Sequence, residues 1–210
     1  MPNVKVLLSR YRRYAKYLIQ YFLLEKPRGL DFSMRDKSLI AKSNGKYFGY
    51  SKTDEAHLNE IFRNLSYEEC QNFMDIGCGK GVVLKEAAKY PFRRIAGIEL
   101  IEDIYEVAQK NLRILKLTDR VECVRGDATT FSDYGSFDTF FLYNPFSEEI
   151  LQKVLNRIVE SRNEQNKTAT IVYHDPRFLF RLEQLPGYLL EKRLYDSLRN
   201  YETCICRIGE

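Results

Sequence analysis

Three carboxylates are the residues whose type and spacing could do chemistry. Asp75, Glu99 and Asp127 each stand at or just after the end of a short apolar run. A glycine-rich turn, Gly77-Cys78-Gly79-Lys80-Gly81, follows the first of them. Parallel strands end at one edge of a sheet, where α/β proteins bind their ligands. The sequence therefore predicts that these three groups face a common ligand.

The charges around the glycine-rich turn decide among its ligands. Such a turn can cradle a pyrophosphate, but Asp75 stands two residues before the first glycine, where it repels that group. The spacing is GxGxG rather than the GxGxxG of dinucleotide sites. Lys80 is followed by Gly81 rather than by Ser or Thr, which excludes a Walker P-loop. A nucleotide-dependent oxidoreductase is therefore the weaker enzyme hypothesis.

A ligand with an adenosine at one end and a cationic sulfonium and ammonium at the other fits these charges. Asp75 favours the cationic end. Glu99 can accept hydrogen bonds from both ribose hydroxyls. Asp127 can accept from the adenine amino group, with the backbone of Ala128 alongside. The sequence therefore predicts S-adenosylmethionine (SAM) as the cofactor.

Alternating strands and helices must position these groups. Predicted strands cover residues 72–76, 94–100, 120–125, 139–143 and 168–173, with helices between them, and a hairpin of strands 188–194 and 203–207 ends the chain. A helix over 53–65 precedes them, with Ser51 or Thr53 as its N-cap. This alternation favours an α/β fold, a mostly parallel sheet with helices on both faces.

Four motifs, in order and spacing, resemble those of class I SAM-dependent methyltransferases. They are Phe73-Met74-Asp75-Ile76-Gly77-Cys78-Gly79-Lys80-Gly81, Gly97-Ile98-Glu99-Leu100, Gly126-Asp127-Ala128 and Tyr143-Asn144-Pro145-Phe146. The nearest likeness is to uncharacterised bacterial members with GxGKG and NPF motifs, and a more distant one is to the non-SET protein-lysine methyltransferases. The resemblance covers residues 47–210. It implies a Rossmann-like, seven-stranded sheet ordered 3-2-1-4-5-7-6 with the last strand antiparallel.

The resemblance also implies the roles of individual residues. The candidate cofactor-binding residues are Tyr50, Thr53, Asp75, Gly77, Cys78, Gly79, Gly81, Glu99, Leu100, Asp127, Ala128 and Asn144. The candidate catalytic residues are Asn144, Pro145 and Phe146, whose turn lies beside the transferred methyl group in this family. No metal is expected.

The turn at 144–146 favours an amine as methyl acceptor. Asn144 can accept N–H hydrogen bonds through its carbonyl oxygens, Pro145 stiffens the turn, and Phe146 can offer a π face to a cationic nitrogen. Methylases of nucleobases or glutamine usually carry Asn/Asp-Pro-Pro-aromatic. The single proline here disfavours those acceptors.

The function that follows is in-line transfer of a methyl group from SAM to an amine nitrogen. The acceptor stays open among protein lysine, a small molecule and RNA. A non-catalytic SAM-binding or scaffold protein is the alternative from another class of function.

The first 46 residues form a basic extension ahead of the methyltransferase domain at 47–210. Residues 1–50 hold 11 Lys/Arg against 3 Asp/Glu, a net charge of +8, whereas the rest of the chain carries −4. A helix is predicted over residues 5–24. Its apolar stripe is Leu7, Tyr11, Tyr14, Leu18 and Phe22. This helix either covers one face of the body or binds an anionic partner such as RNA or a membrane surface. No uncharged run is long enough to predict a transmembrane helix.

The remaining reactive side chains have simpler interpretations. Five cysteines, an odd number, indicate reduced thiols and a cytoplasmic protein. Lys80 is expected to be a solvated residue at the start of a helix, and His57 to be structural. His174, after the fifth strand, either belongs to a turn or contacts the substrate.

Overall fold

The computed structural model describes Tyr11, residues 14–34 and residues 50–209. Within these residues, seven strands form one sheet in the order β3-β2-β1-β4-β5-β7-β6. The strands are β1 (Asn72–Ile76), β2 (Arg94–Glu99), β3 (Glu122–Arg125), β4 (Thr139–Tyr143), β5 (Ala169–His174), β6 (Leu189–Asp196) and β7 (Tyr201–Ile208). The helices are α1 (Glu55–Arg63), α2 (Val82–Ala87), α3 (Glu102–Ile114), α4 (Glu148–Asn163) and α5 (Leu179–Glu183). The predicted fold class and strand order are confirmed.

Strand direction brings the ends of five strands to one edge of the sheet. Strands β1 to β5 are parallel, whereas β7 is antiparallel to both β5 and β6. His174, the last residue of β5, pairs with Thr203 near the start of β7. The β6–β7 turn therefore lies at the same edge as the ends of β1 to β5, which is named the carboxyl edge here.

Both faces of the sheet are covered by apolar side chains, as a mostly parallel sheet requires. Successive residues of a strand point to opposite faces, so Phe73 and Met74 of β1 belong to different clusters. Helices α1, α2 and α3 cover the Phe73 face. Helices α4 and α5 cover the Met74 face. Leu30 and Phe32 pack into the first cluster, which joins the amino-terminal segment to the body.

The N-terminal helix differs from its prediction in the face it turns to the body. Residues 14–20 are α-helical and are followed by a π-helical turn, Tyr21–Glu25. A short 3₁₀-helix, Lys26–Arg28, then ends at Gly29, whose φ is +76°. Tyr14 and Phe22 of the predicted apolar stripe are 59% and 52% exposed, so that stripe does not cover the body. Polar contacts hold the helix instead, because Lys16 pairs with Asp54 at 2.5 Å and Gln20 donates to Glu55 at 2.9 Å.

Two further predictions concern the start of α1 and the domain boundary before it. Asp54, rather than Ser51 or Thr53, is the N-cap of α1, and its carboxylate accepts from the Ala56 N–H at 3.1 Å. The predicted domain boundary at residue 46 falls outside the described residues. None of the helices in the described part of the chain has the length and apolar character that crossing a membrane requires.

Candidate active site

One pocket at the carboxyl edge brings together nearly all the predicted site residues. Those that line it are Tyr50, Thr53, Asp75, Gly77, Cys78, Gly79, Glu99, Leu100, Asp127, Ala128, Asn144, Pro145 and Phe146. Gly81 lies outside this lining. Its φ of +82° makes it the left-handed N-cap of α2, where it packs against Ala108. The sequence placed Gly81 at the cofactor, whereas the structure gives it a role in starting the helix.

Asp75 is the most unusual side chain of the pocket. It is 2% exposed, and its Oδ2 atom has no hydrogen-bond partner in the part of the chain that the structure describes. Burial, with the neighbouring charge of Glu99 as the second cause, raises the pKa of Asp75 well above its ordinary value. A buried carboxylate without a donor is costly. The site therefore suits a cationic ligand.

Glu99 links the glycine-rich turn to the start of α3. Its Oε2 accepts from the Gly79 N–H at 2.9 Å, and its Oε1 accepts from the Ile101 N–H at 3.0 Å. Burial raises the pKa of Glu99, while these backbone hydrogen bonds lower it. A carboxylate has about four lone-pair positions. The backbone N–H groups of Gly79, Ile101 and Leu100 use three of them, so about one position remains as an acceptor for a ligand hydroxyl.

Asp127 begins the loop after β3. Its Oδ1 accepts from both the N–H and the hydroxyl of Thr129, at 2.7 and 2.8 Å. Ala128 lies beside it, with its carbonyl oxygen bonded to the Tyr134 hydroxyl at 2.7 Å. These contacts fix the orientation of the Asp127 carboxylate and leave Oδ2 as an acceptor at the pocket.

The glycines of the first turn permit close contacts from other segments. A Cβ on Gly77 would lie 2.7 Å from Pro145, and one on Gly79 would overlap the ring of Tyr50. Tyr50 in turn donates to the Phe32 carbonyl at 2.6 Å. The turn is thus held between the β4 turn and the amino-terminal segment.

Lys80 is buried, so the expectation of a solvated residue is wrong. Its ammonium pairs with Asp31 at 2.6 Å and donates to the Met34 carbonyl at 2.9 Å. A buried lysine needs such partners. Lys80 therefore joins the glycine-rich turn to the amino-terminal segment and contributes no group to the pocket lining.

Asn144 has a fixed side chain at the end of β4. Its φ is +38°, and its Nδ2 donates to the backbone oxygen and to Oδ2 of Asp175, the latter at 2.8 Å. Its Oδ1 accepts from the Tyr173 hydroxyl at 2.9 Å. The reversed amide would direct Oδ1 at two oxygens of Asp175, which establishes this orientation. Both donors are used, and only acceptor capacity remains.

The structure also shows groups that sequence reasoning missed. Ser51 and Tyr143 line the pocket. Behind them, Arg199 of the β6–β7 turn donates to the Ser51 hydroxyl at 2.9 Å and to the Tyr143 hydroxyl at 2.8 Å. Tyr143 belongs to the fourth motif, and its position next to Asn144 could have indicated that it lines the pocket. Arg199 stands in no motif.

His174 does not contact a substrate in this arrangement. It is fully buried, and its Nδ1 lies 2.8 Å from the Thr203 hydroxyl. His57 approaches the same hydroxyl at 2.7 Å, in agreement with a structural role. All five cysteines are free and buried. A hydrogen bond with Cys123, and burial, raise the pKa of the Cys78 thiol well above its ordinary value, so Cys78 is not a nucleophile.

Comparison with known sequences finds methyltransferases. Residues 73–163 match the family model described as a methyltransferase domain. The ribosomal protein L11 methyltransferase of Thermotoga maritima is 28% identical over 98 residues, which are 44% of this chain and 37% of that protein. That of Pelobacter propionicus is 32% identical over 96 residues, 45% of this chain and 30% of that protein. The chain thus spans about a third of the length of the curated relatives it matches.

Solved structures share the fold at low sequence identity. An RNA methyltransferase from Salinibacter ruber in complex with S-adenosyl-L-homocysteine has a TM-score of 0.58 and 19% identity, covering 76% of this chain and 95% of that one. A ribosomal protein L11 methylase from Lactobacillus delbrueckii subsp. bulgaricus has a TM-score of 0.58 and 13% identity, covering 80% and 83%. Residues 73–163 therefore match a methyltransferase domain, and the chain has the fold of the class I SAM-dependent methyltransferases.

Proposed function

We propose that this chain is a SAM-dependent methyltransferase whose acceptor is an amine nitrogen of a protein. The observation that carries the proposal is the buried Asp75 carboxylate, whose Oδ2 has no donor among the described residues. A ligand that covers it must bring a cation or a hydrogen-bond donor. The sulfonium and ammonium groups of SAM meet this requirement, whereas a pyrophosphate does not.

The other pocket residues fit the adenosine half of SAM. Glu99 keeps an acceptor position for the ribose hydroxyls, and Asp127 keeps Oδ2 for the adenine amino group. When bound, SAM supplies an electrophilic methyl group that leaves the sulfonium by in-line displacement. The work of the protein is then to orient the two reactants.

Asn144 supports an amine as acceptor. A lysine-like amine has a reference pKa of about 10.4, so its reactive neutral form costs roughly 4.6 kcal/mol at pH 7. The Asn144 side chain has no free donor, but Oδ1 retains one lone pair. It can therefore accept an N–H of the amine and direct the nitrogen lone pair. Phe146, beside it, offers an aromatic face to a cationic nitrogen.

The matched relatives bear on the acceptor class, and the amino-terminal segment and the cysteines bear on partner and location. The matched relatives are named for methylation of a ribosomal protein, which favours a protein acceptor over a small molecule or RNA. The basic N-terminal helix, with Phe22 and Leu23 exposed, is proposed to contact an anionic partner or surface. Five free, buried cysteines support a cytoplasmic location.

The test uses SAM labelled on its methyl group. The full chain is incubated with labelled SAM and a fractionated cell lysate, and the label is followed into protein, RNA and small molecules. We expect label in protein, stable to mild base as an N-methyl group is. Label only in RNA or small molecules would contradict the protein acceptor. Calorimetry that detects no SAM binding would contradict the proposed function itself.

A further inference from the structure

Arg199 is a buried cation that makes no direct ion pair with any described residue. It is 4% exposed, and its Nε has no hydrogen-bond partner in the described residues. The acceptors of its other nitrogens there are three hydroxyl groups, those of Ser51, Tyr143 and Tyr17, at 2.8 to 3.1 Å. No carboxylate among the described residues comes within ion-pair distance of the guanidinium, 4.0 Å. The carboxylates of Asp196 and Asp175 attract it only from beyond that distance. A buried cation without a direct ion pair is stabilised further by an anion that comes close to its hydrogen-bond network.

The hydrogen bonds around Arg199 direct a donor into the pocket. The Ser51 oxygen accepts from Arg199 at 2.9 Å and from the Tyr143 hydroxyl at 3.4 Å. A serine hydroxyl has two acceptor positions and one hydrogen. Because both acceptor positions are used, the Ser51 hydrogen is the remaining donor, and Ser51 lines the pocket. A donor backed by a cation suits an anionic ligand group.

The position of Arg199 indicates which ligand group this is. The charged residues that line the pocket are Asp75, Glu99 and Asp127, all acidic. Glu99 ends β2, Asp127 follows β3, Asp75 is on β1, and Tyr143 ends β4 next to β1. If the adenosine lies over β2 and β3, the amino-acid half of the cofactor extends past Asp75 towards β4. That half carries an ammonium and a carboxylate, and the carboxylate would otherwise meet only acids.

We propose that Ser51 binds the carboxylate of the amino-acid half of SAM and that Arg199 acts through Ser51 as a positioning residue. This inference rests on the proposed function. Asp75 then serves the cationic groups, and Ser51 with Arg199 serves the anionic one. The two ends of the amino-acid half are recognised by opposite charges from β1 and from the β6–β7 turn.

Three probes separate these two interactions by calorimetry on the full chain. SAM has both charged groups, decarboxylated SAM lacks the carboxylate, and 5′-deoxy-5′-methylthioadenosine lacks the whole amino-acid half. We expect Arg199→Met to weaken SAM binding roughly tenfold to hundredfold and to leave the other two probes within about threefold. Asp75→Asn weakens SAM and decarboxylated SAM, but not methylthioadenosine. The matched control is Arg193→Met in the same hairpin, whose side chain is 47% exposed and paired with Glu202.

Two additional variants keep the test decisive if Arg199→Met does not fold. Ser51→Ala should show the same selective loss for SAM, and Arg199→Lys should restore part of the affinity. Equal weakening of all three probes would mean that Arg199 only supports the fold, and unchanged SAM affinity in Ser51→Ala and Arg199→Met would overturn the inference. Wild-type protein that binds SAM no more tightly than decarboxylated SAM would also overturn it. Wild-type protein that binds none of the probes would instead contradict the proposed function.

Discussion

The two halves of the carboxyl edge differ in what their polar side chains bond. Over β1 to β3, carboxylates keep acceptor positions that no described residue uses, as Asp75 Oδ2 and Asp127 Oδ2 do. Over β4 to β7, most polar side chains bond one another, as Asn144 does with Tyr173 and Asp175, although the buried His174 Nε2, Asp196 Oδ2 and Arg199 Nε have no hydrogen-bond partner among the described residues. The first half is built to receive a ligand with positive charge and donors. The residues over β1 to β3 are therefore called the receiving half. Those over β4 to β7 are called the frame half, because their mutual hydrogen bonds hold side chains in place and so orient a ligand that binds beside them.

The largest expected effect tests the receiving half. Asp75→Ala and Glu99→Ala should each weaken SAM binding roughly tenfold to hundredfold, because each removes hydrogen bonds to a charged or polar ligand group worth about 1.5–3 kcal/mol. Calorimetry measures the affinities. Asp119→Ala, on an exposed loop residue, is the control and should bind SAM as the wild type does. Unchanged affinity in both pocket variants would remove the support for this cofactor.

The frame half should affect turnover rather than affinity. Asn144→Ala is expected to lower turnover at least tenfold, about 1.4 kcal/mol of transition-state stabilisation, while SAM affinity changes less than about threefold. The reason is that Oδ1 is the atom we propose to accept an N–H of the acceptor amine. Tyr173→Phe is the matched control, since it removes the bond to Oδ1 and leaves the Asn144 oxygen in place. A wild-type rate in Asn144→Ala, measured with an identified acceptor, would make this turn purely structural.

The two halves also differ in how far the sequence could predict them. Glu99 ends β2 and Asp127 lies two residues after β3, so the strand pattern and the motif spacing located them. The strand order followed from the family resemblance. Contacts between distant segments left no local pattern: Arg199 meets Tyr143 across 56 residues and Tyr17 across 182, and Lys80 meets Asp31 across 49. Burial of Lys80 and Arg199 depends on those contacts, which explains why neither was predicted.

The frame half should lose stability in acid. Burial, and then the charges of His57 and Arg199, lower the pKa of His174 well below its ordinary 6.5. In the unfolded chain His174 takes up a proton below pH 6.5, whereas in the folded protein it stays neutral. The contribution of His174 to the free energy of unfolding is therefore fully present above pH 6.5. Below pH 6.5 the free energy of unfolding falls by up to about 1.4 kcal/mol per pH unit. Thermal unfolding from pH 7.5 to 5 measures this loss. His174→Gln should be less stable throughout but should lack this pH dependence, and a slope equal to that of the wild type would assign the acid lability to another group.

In the receiving half, the stability contribution of Asp75 should depend on pH in the opposite direction. The pKa of Asp75 is raised above its ordinary 3.8, so the folded protein holds this proton to higher pH than the unfolded chain. The stability contribution is complete below 3.8 and is lost as the pH rises through the raised pKa. Without added cofactor, Asp75→Asn should therefore gain stability relative to wild type as the pH rises, on the order of 1 kcal/mol or about 2–4 °C in Tm. A difference between the two proteins that is constant with pH would contradict an unpartnered, ionisable Asp75.

The smallest expected effect concerns SAM binding when the basic helix is altered. Arg10, Arg12 and Arg13 lie outside the described residues, whereas Lys16 pairs with Asp54, the neighbour of the pocket residue Thr53. At physiological salt the Debye length is about 8 Å, so exposed charges on the helix act only on near neighbours. Charge reversal of the three arginines, with Lys16 retained, should leave SAM affinity within about twofold and weaken labelling of the acceptor. Adding Lys16→Glu places two carboxylates together and should lower Tm by a degree or two, roughly 0.5 kcal/mol. A folded triple variant that no longer binds SAM would show that the helix belongs to the receiving half, and the division between the two halves would have to be redrawn.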